Sequence, residues 1–183
     1  MRIISGKYKG KRLIAPKKLP VRPTTDFAKE ALFNILNNRL EFTEITLLDL
    51  FAGTGNISFE FASRGTQHII AVDSHFACVK YISKIAEELS FPINAIKSDV
   101  IKYLSSSTSK FDVIFADPPY KIEQLDFENL ISKVFINKLL TEDGFFIIEH
   151  SKHTDLSHSE YFREARRYGG SVFSFFNPSR VSL

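Results

Sequence analysis

The residue types with the clearest chemistry form one tetrapeptide after an apolar run: Asp117, Pro118, Pro119 and Tyr120. The amino group of a nucleic-acid base is a weak nucleophile, because its lone pair is delocalised into the ring. A carboxylate and a neighbouring backbone carbonyl can accept both amino hydrogens and direct the lone pair towards an electrophile. We therefore interpret the Asp117 carboxylate and the Pro118 carbonyl as acceptors for a planar amine.

The prolines and the tyrosine complete this catalytic interpretation. Proline fixes φ and removes a backbone donor, so the loop is stiff before a substrate binds. The ring of Tyr120 offers a face on which an unpaired base can stack, a contact worth about 1–3 kcal/mol. A proline turn that only ends a strand is the alternative. It does not account for the acid before the prolines or the aromatic residue after them.

A second group of residues, 49–55, joins an apolar strand to a helical pattern through a glycine pair. Gly53 and Gly55 allow the backbone to approach a nucleotide-type ligand closely, although a tight turn without a ligand is the alternative. The nicotinamide-binding fingerprint has a third glycine where this chain has Ser58. Asp49 would repel a pyrophosphate, and it suits a ligand with an ammonium group and no phosphate, as in S-adenosylmethionine.

Two further aspartates follow the next two predicted strands. Asp73 is placed to accept hydrogen bonds from both ribose hydroxyls of such a cofactor, and Asp99 is placed to accept the adenine amino hydrogens. Each of them could instead cap the helix that follows. In series with Asp49 and the glycine pair, they predict an S-adenosylmethionine site.

The positive charge of the chain is concentrated at its amino terminus. The net charge is +3, yet the first 25 residues contain many Lys and Arg residues and no Asp or Glu. Such a segment attracts polyanions, and we expect it to contact nucleic acid; a solvated basic tail is the alternative.

The elements that must position these residues follow from the hydrophobic pattern. From Thr46 onward, apolar strands alternate with helical patterns, which predicts a mostly parallel α/β sheet covered on both faces. The predicted strands are Thr46–Leu50, His68–Asp73, Ile93–Lys97, Phe111–Ala116 and 145–149. The predicted helices in this part of the chain are 57–64, Phe76–Leu89 and 126–135.

Both ends of the chain depart from this alternation. Segments 160–168 and Ser171–Phe176 flank Gly169 and Gly170, a connection typical of an antiparallel β-hairpin. Residues 2–5 and 12–15 flank a glycine-containing turn, which predicts a small basic hairpin that packs on the main domain or becomes ordered on a partner. We therefore divide the chain into an amino-terminal hairpin, 1–22, and a main domain, 23–183.

A helix should connect the hairpin to the first strand of the main domain. Thr24, Thr25 and Asp26 are candidate N-caps for it. The apolar residues at helical spacing predict its buried face. They are Phe27, Ala31, Leu32, Ile35 and Leu36.

The composition limits the class of protein. With 183 residues, 44% of them hydrophobic and 25% charged, the chain fits one globular domain. The single cysteine, Cys78, excludes an internal disulfide and a Cys-rich zinc site. We expect a cytoplasmic monomer without a metal or a membrane segment. Of the histidines, His150 and His153 lie near the end of the fifth strand; they could line a pocket, but we expect both at the solvated surface.

These motifs together resemble the RsmD-like methyltransferases, a likeness carried by residues 2–10, 22–26, 49–55 and 117–120. The resemblance implies a seven-stranded class I S-adenosylmethionine-dependent methyltransferase sheet, Rossmann-like, with a reversed final strand. It also implies methylation of the N2 amino group of a guanine in 16S ribosomal RNA, with the amino-terminal hairpin in contact with the RNA. The catalytic loop of this family often ends in Phe. Tyr120 keeps the stacking face and adds a hydroxyl.

Residues and resemblance together assign the predicted site. The catalytic residues are Asp117, Pro118, Pro119 and Tyr120. The cofactor-binding residues are Asp49, Phe51, Gly53, Gly55, Asp73, Ser74, Asp99, Val100 and Asp117. The substrate-binding residues are Arg2, Lys7, Lys9, Lys11, Arg12, Arg22, Thr24, Thr25 and Tyr120.

Several alternatives remain open for the substrate. The same loop would serve a DNA or other RNA methyltransferase acting on adenine N6 or cytosine N4, although the chain has no insertion long enough for a DNA-recognition region. A non-catalytic RNA-binding module is a further alternative, which the aspartates at the strand ends argue against. The RNA partner is either free ribosomal RNA or an assembled small subunit.

Overall fold

A seven-stranded sheet forms the centre of the protein. The computed structural model describes residues 1–16, 19, 25–119 and 121–178. The strands are β1 (Thr46–Leu50), β2 (His68–Asp73), β3 (Ile93–Lys97), β4 (Phe111–Ala116), β5 (Leu140–Ser151), β6 (Phe162–Tyr168) and β7 (Ser171–Phe176). They are ordered β3-β2-β1-β4-β5-β7-β6. The first five strands are parallel, and β7 is antiparallel to both of its neighbours.

Helices cover both faces of this sheet. They are α1 (Asp26–Leu36), α2 (Asn56–Ser63), α3 (Phe76–Leu89), α4 (Val100–Ser106) and α5 (Gln124–Ile136). The first three contribute to one buried apolar cluster and the last two to another, on the opposite face. Within the described residues, no helix combines the length and the apolar character needed to cross a membrane. Because the winding direction changes between β1 and β4, a crevice forms at the carboxyl ends of these strands.

The predicted fold class is confirmed, including the antiparallel pair at the carboxyl end. Strands β1 to β4 have their predicted bounds, whereas β5 begins at Leu140 instead of residue 145. The polar residues 141–143 lie outside the predicted strand and fall in an irregularity of the pairing with β4, where the Thr141 hydroxyl donates to the Asp112 carboxylate at 2.8 Å. The helix α4 was not predicted as an element, because it is short.

The buried face of α1 differs from the predicted one. Phe27 is 67% exposed, and the fully buried positions are Ala28, Lys29, Leu32, Phe33 and Leu36. The prediction is confirmed at Leu32 and Leu36 and wrong at Phe27, and a pattern of apolar residues could not include the buried Lys29. The predicted N-cap at the start of the helix is Thr25, whose hydroxyl accepts from the Ala28 N–H at 3.2 Å.

The amino-terminal segment packs against the main domain. Its two arms meet through one bridge, between Arg2 and Arg12, and Ile3 and Leu13 are buried in the main core. Gly6 has a φ of +80°, and a Cβ there would lie 1.8 Å from the Ser63 carbonyl oxygen of α2. Only glycine allows this approach. The predicted domain boundary at residue 22 lies outside the described residues.

A buried ion pair joins this segment to α1 and α2. The Lys29 ammonium lies 3.3 Å from the Glu60 carboxylate, and it donates to the Arg2 carbonyl and to the Asn56 side chain. Glu60 also accepts from the backbone N–H groups of residues 4 and 5 and from Arg64. Burial lowers the pKa of Lys29, and the Glu60 charge opposes that shift. The pair survives burial because its donors and acceptors find partners within the network.

We expect Lys29→Met to destabilise the protein by about 3 kcal/mol, because it leaves the buried Glu60 carboxylate without its ammonium partner. Urea unfolding would measure the loss. Lys84→Met is the matched control: Lys84 and Glu88 form an exposed pair at 3.6 Å, where the expected loss is below about 1 kcal/mol. Equal losses in the two variants would contradict a structural role for the buried pair.

Candidate active site

Asp49 is held at the carboxyl end of β1 by the first turn of α2. Its side chain is 2% exposed, and it accepts from the Ser58 N–H at 3.1 Å and from the Ser58 hydroxyl at 2.5 Å. The serine that replaces the third glycine of the nicotinamide fingerprint therefore orients a carboxylate. This arrangement is unfavourable for a pyrophosphate and favourable for a cation.

Burial makes the Asp49 carboxyl hard to ionise. Burial, together with a smaller effect of the nearby Asp73 charge, raises the pKa of this group to about 7, although the two Ser58 donors oppose the shift. A positive charge bound beside Asp49 would favour the ionised form. A cationic ligand beside Asp49 would therefore have a favourable electrostatic interaction with the carboxylate.

The loop between β1 and α2 is supported by Asp73. One oxygen of this buried carboxylate accepts from the Gly53 N–H at 2.8 Å, and the other accepts from the His75 N–H at 2.7 Å. Phe51, Gly53 and Gly55 all have positive φ, and phenylalanine adopts such a φ rarely. Strain of this kind is concentrated at ligand sites, in agreement with the prediction that this loop binds a ligand.

The remaining predicted cofactor residues lie at the ends of β2 and β3. Asp99 is the N-cap of α4 and accepts from the Lys102 N–H at 2.9 Å, so the capping role that was its alternative does occur. Its side chain is exposed, as is that of Ser74, while Val100 is buried. The structure brings these residues to the same edge of the sheet as Asp49. Their contacts with a cofactor remain a prediction.

The predicted catalytic loop leaves β4 beside β1. The Asp117 N–H donates to the Leu50 carbonyl at 3.4 Å, which places Asp117 next to the end of β1. Asp117, Pro118 and Pro119 line a partly open cleft. The other residues of this cleft are Ile122, Phe127, Glu149, His150, Ser151, Thr154 and Ser171. Tyr120 lies outside the described residues.

The prediction that His150 is solvated is wrong. His150 is 8% exposed because β7 and α5 cover it, and its ring packs edge-on against Phe127. Burial lowers the pKa of His150, which favours the neutral ring. The Nδ1–H donates to the Ser151 carbonyl, and Nε2 then accepts from the Ser174 hydroxyl. His153 is exposed as predicted.

The prediction missed Glu149, which is 7% exposed and lines the cleft with Asp117. An acid at the end of an apolar strand was the signal that identified Asp49 and Asp73. The same signal was present at Glu149. We did not predict Glu149 as a site residue, because local sequence patterns do not give the order of strands in the sheet. That order places β5 beside β4.

The basic residues of the amino-terminal segment remain available at the surface. Arg2, Lys7, Lys9, Lys11 and Arg12 are exposed. The segment that carries them is anchored by Tyr8, whose hydroxyl donates to the Leu89 carbonyl at 2.9 Å. Thr25 serves as the cap of α1, and Arg22 and Thr24 lie outside the described residues.

Comparison with known proteins places the chain in a family. Residues 1–177 match the family model described as Conserved hypothetical protein 95. The chain is 35% identical over 161 residues to the putative rRNA methyltransferase YlbH of Bacillus subtilis, covering 85% of each protein. It is 30% identical over 150 residues to ribosomal RNA small subunit methyltransferase D of Buchnera aphidicola, covering 81% of this chain and 75% of that protein. The chain belongs to the RsmD-like methyltransferase family.

Solved structures share the fold of this chain. The Thermus thermophilus hypothetical protein TTHA0928 superposes with a TM-score of 0.83 at 24% identity, covering 97% of this chain and 99% of that one. The T. thermophilus 16S rRNA N2 G1207 methyltransferase RsmC, solved with AdoMet and guanosine, gives a TM-score of 0.67 at 22% identity. It covers 84% of this chain and 43% of RsmC. Membership of the RsmD-like family confirms the prediction of an S-adenosylmethionine-dependent methyltransferase.

The raised pKa of Asp49 predicts an unusual stability profile. Between about pH 4 and pH 7 the folded protein keeps a proton on Asp49 that the unfolded chain releases, so its stability falls as the pH rises through this range. Asp49→Asn should therefore raise the free energy of unfolding at pH 8 by about 2 kcal/mol and change it little at pH 4. Urea unfolding at both pH values would measure the difference. The exposed control Asp143→Asn keeps Asp49 and should therefore reproduce the wild-type profile, and identical profiles for Asp49→Asn and the wild type would refute the assignment.

Proposed function

We propose that this protein transfers a methyl group from S-adenosylmethionine to the N2 amino group of a guanine in small-subunit ribosomal RNA. The observation that carries the proposal is the direct contact between the ends of β1 and β4. The hydrogen bond from Asp117 to Leu50 holds the amine-binding loop beside Asp49, the residue suited to the cationic cofactor. The names of the relatives support the RNA class of the substrate.

The chemistry of the donor set fits the cofactor. Asp49, Asp73 and Asp99 follow three neighbouring strands, and a carboxylate accepts hydrogen bonds and attracts cations. S-Adenosylmethionine offers an ammonium group, two ribose hydroxyls and an adenine amine, and it carries no phosphate. When bound, it supplies an electrophilic methyl group on a positively charged sulfur. In our proposal, Asp49 attracts the ammonium end, Asp73 orients the ribose and Asp99 orients the adenine.

The residues of the catalytic loop act on the amine of the base. Asp117 and the Pro118 carbonyl each accept one amino hydrogen, which withdraws the nitrogen lone pair from the ring and aims it at the methyl group. After methylation the nitrogen is positively charged and acidic, so it loses a proton to Asp117 or to solvent. Tyr120 stacks on the base in this proposal. Because the base must leave its helix to reach the loop, an unpaired or flipped guanine is the substrate.

Nucleoside analysis tests the proposal directly. The protein is incubated with labelled S-adenosylmethionine and either unmodified small ribosomal subunits or naked 16S RNA, and the RNA is digested to nucleosides. We expect the label in N2-methylguanosine. The comparison of subunits with naked RNA identifies the preferred partner. Label in N6-methyladenosine, in N4-methylcytosine or only in protein would contradict the proposal.

Asp117→Ala should lower kcat by about 10²–10³-fold, because one of the two acceptors that activate the amine is lost. We expect the dissociation constant of S-adenosylmethionine to change little, since Asp49, Asp73 and Asp99 remain. Single-turnover methylation and calorimetric binding would measure the two effects separately. Asp143→Ala, on the exposed part of β5, is the control. Unchanged turnover in Asp117→Ala would exclude the catalytic role.

Charge reversal at Lys9, Lys11 and Arg12 should raise KM for RNA and flatten its dependence on salt. Each phosphate contact that is lost lowers the slope of log K against log salt by about 0.7–0.9. The control reverses Lys110 and Lys138, which are exposed beside the amino ends of β4 and β5. A control that behaves like the triple variant would show that total charge matters and that the hairpin has no specific contact.

A further inference from the structure

Glu149 lies beside the predicted catalytic loop at the carboxyl end of the sheet. Strands β4 and β5 are parallel, and their register pairs Ala116 with Ile148. The next residues along the two strands are Asp117 and Glu149. Neighbouring strands are about 4.8 Å apart, so Asp117, the first residue after β4, lies beside Glu149, which is still within β5. Both line the same cleft.

The alternation of side chains fixes the face of Glu149. Ile147 of β5 packs in the cluster formed with α1, α2 and α3, and Glu149 lies two residues further along the same strand, so it shares that face. Asp117 follows the last residue of β4 and lines the same cleft as Glu149. The cleft therefore presents two carboxylates at neighbouring positions.

His150, the residue after Glu149 in β5, is held by contacts on the other side of the sheet. His150 faces the opposite side of the sheet, where its ring contacts Phe127. Both of its ring nitrogens have hydrogen-bond partners, Ser151 and Ser174. Asp117 and Glu149 are the acids that the described residues contribute to this cleft, so Glu149 is placed to meet a base edge that reaches beyond Asp117.

Two neighbouring carboxylates suit the Watson–Crick edge of guanine better than that of adenine or cytosine. The Watson–Crick edge of guanine offers the N1–H beside the two hydrogens of its N2 amine. Adenine offers its amine beside a lone pair at N1, and cytosine offers its amine beside a lone pair at N3. A lone pair that faces a buried carboxylate is repelled and leaves both groups without a donor.

We propose that Glu149 determines the choice of base: its carboxylate accepts the N1–H of the guanine whose N2 amine is held by Asp117 and the Pro118 carbonyl. This inference rests on the proposed function and adds the residue that selects guanine over adenine and cytosine. A site built to receive a substrate hydrogen rejects an analogue lacking it by about 10⁴-fold or more in favourable cases.

The test uses 2-aminopurine, which keeps the N2 amine of guanine but has a lone pair at N1. Two synthetic RNAs carry guanine or 2-aminopurine at the methylated position, which is located by mapping labelled oligonucleotide fragments of the RNA. We expect the wild type to favour guanine in kcat/KM by at least about 10²-fold. Glu149→Gln adds an N–H donor that suits the lone pair, so the preference for guanine should fall by at least about tenfold.

Controls separate this effect from a general loss of structure. Glu149→Gln should bind S-adenosylmethionine with the wild-type dissociation constant. Glu142→Gln makes the same chemical change on the exposed part of β5, and its guanine preference should equal that of the wild type. A proportional loss of both substrates in Glu149→Gln would overturn the inference.

One outcome does not depend on how the variant folds. If the wild type methylates guanine and 2-aminopurine equally well, the N1–H is not read and the inference is wrong. Failure of the proposed function is distinguishable from this result, because the wild type would then form no N2-methylguanosine in either ribosomal RNA or small subunits.

Discussion

The candidate site depends on acidic side chains that parallel strands bring together at one edge of the sheet. Asp73, Asp49, Asp117 and Glu149 come at the carboxyl ends of four neighbouring strands, β2, β1, β4 and β5. Parallel pairing brings these ends together, and burial makes a charge costly. Backbone N–H groups and the Ser58 hydroxyl compensate part of this cost at Asp49 and Asp73. The remaining acceptor capacity makes the edge suited to a cationic cofactor and a donor-rich base.

Beneath the amino-terminal segment, a buried negative charge is instead neutralised by positive charges of the protein itself. There the Glu60 charge is matched inside the protein by Lys29 and Arg64. Lys29 also holds the side chain of Asn56, the first residue of α2. The network thus connects the basic segment to the helix that follows the cofactor loop.

Much of the architecture could be predicted from the sequence, because parallel strands buried on both faces produce continuous apolar runs. The strands β1 to β4 are of this kind. The prediction failed where polar residues take part in regular structure or in the core, as in the first residues of β5 and at Lys29. A buried lysine is recognisable only when its partner Glu60, distant in the sequence, is known to lie beside it.

The residues of the candidate site also fall into those that the sequence predicts and those that it does not. Asp49, Asp73 and Asp117 could be identified as acids at the ends of apolar strands, and the structure brings them to one edge. Glu149 and His150 gain their surroundings from strand order: β5 lies between β4 and β7, and β7 returns from the far end of the chain to cover His150. Such neighbours depend on the tertiary fold and are invisible to local patterns.

The close approach of Gly6 to Ser63 has a consequence for how a large substrate would be recognised. With the backbone of the segment seated on α2 and its apolar residues inside the core, the basic surface has its shape before any partner arrives. A preformed surface avoids the entropy loss that accompanies folding upon binding. The RNA would then make most of the conformational change on binding. The enzyme would select those RNA shapes that already present an accessible guanine.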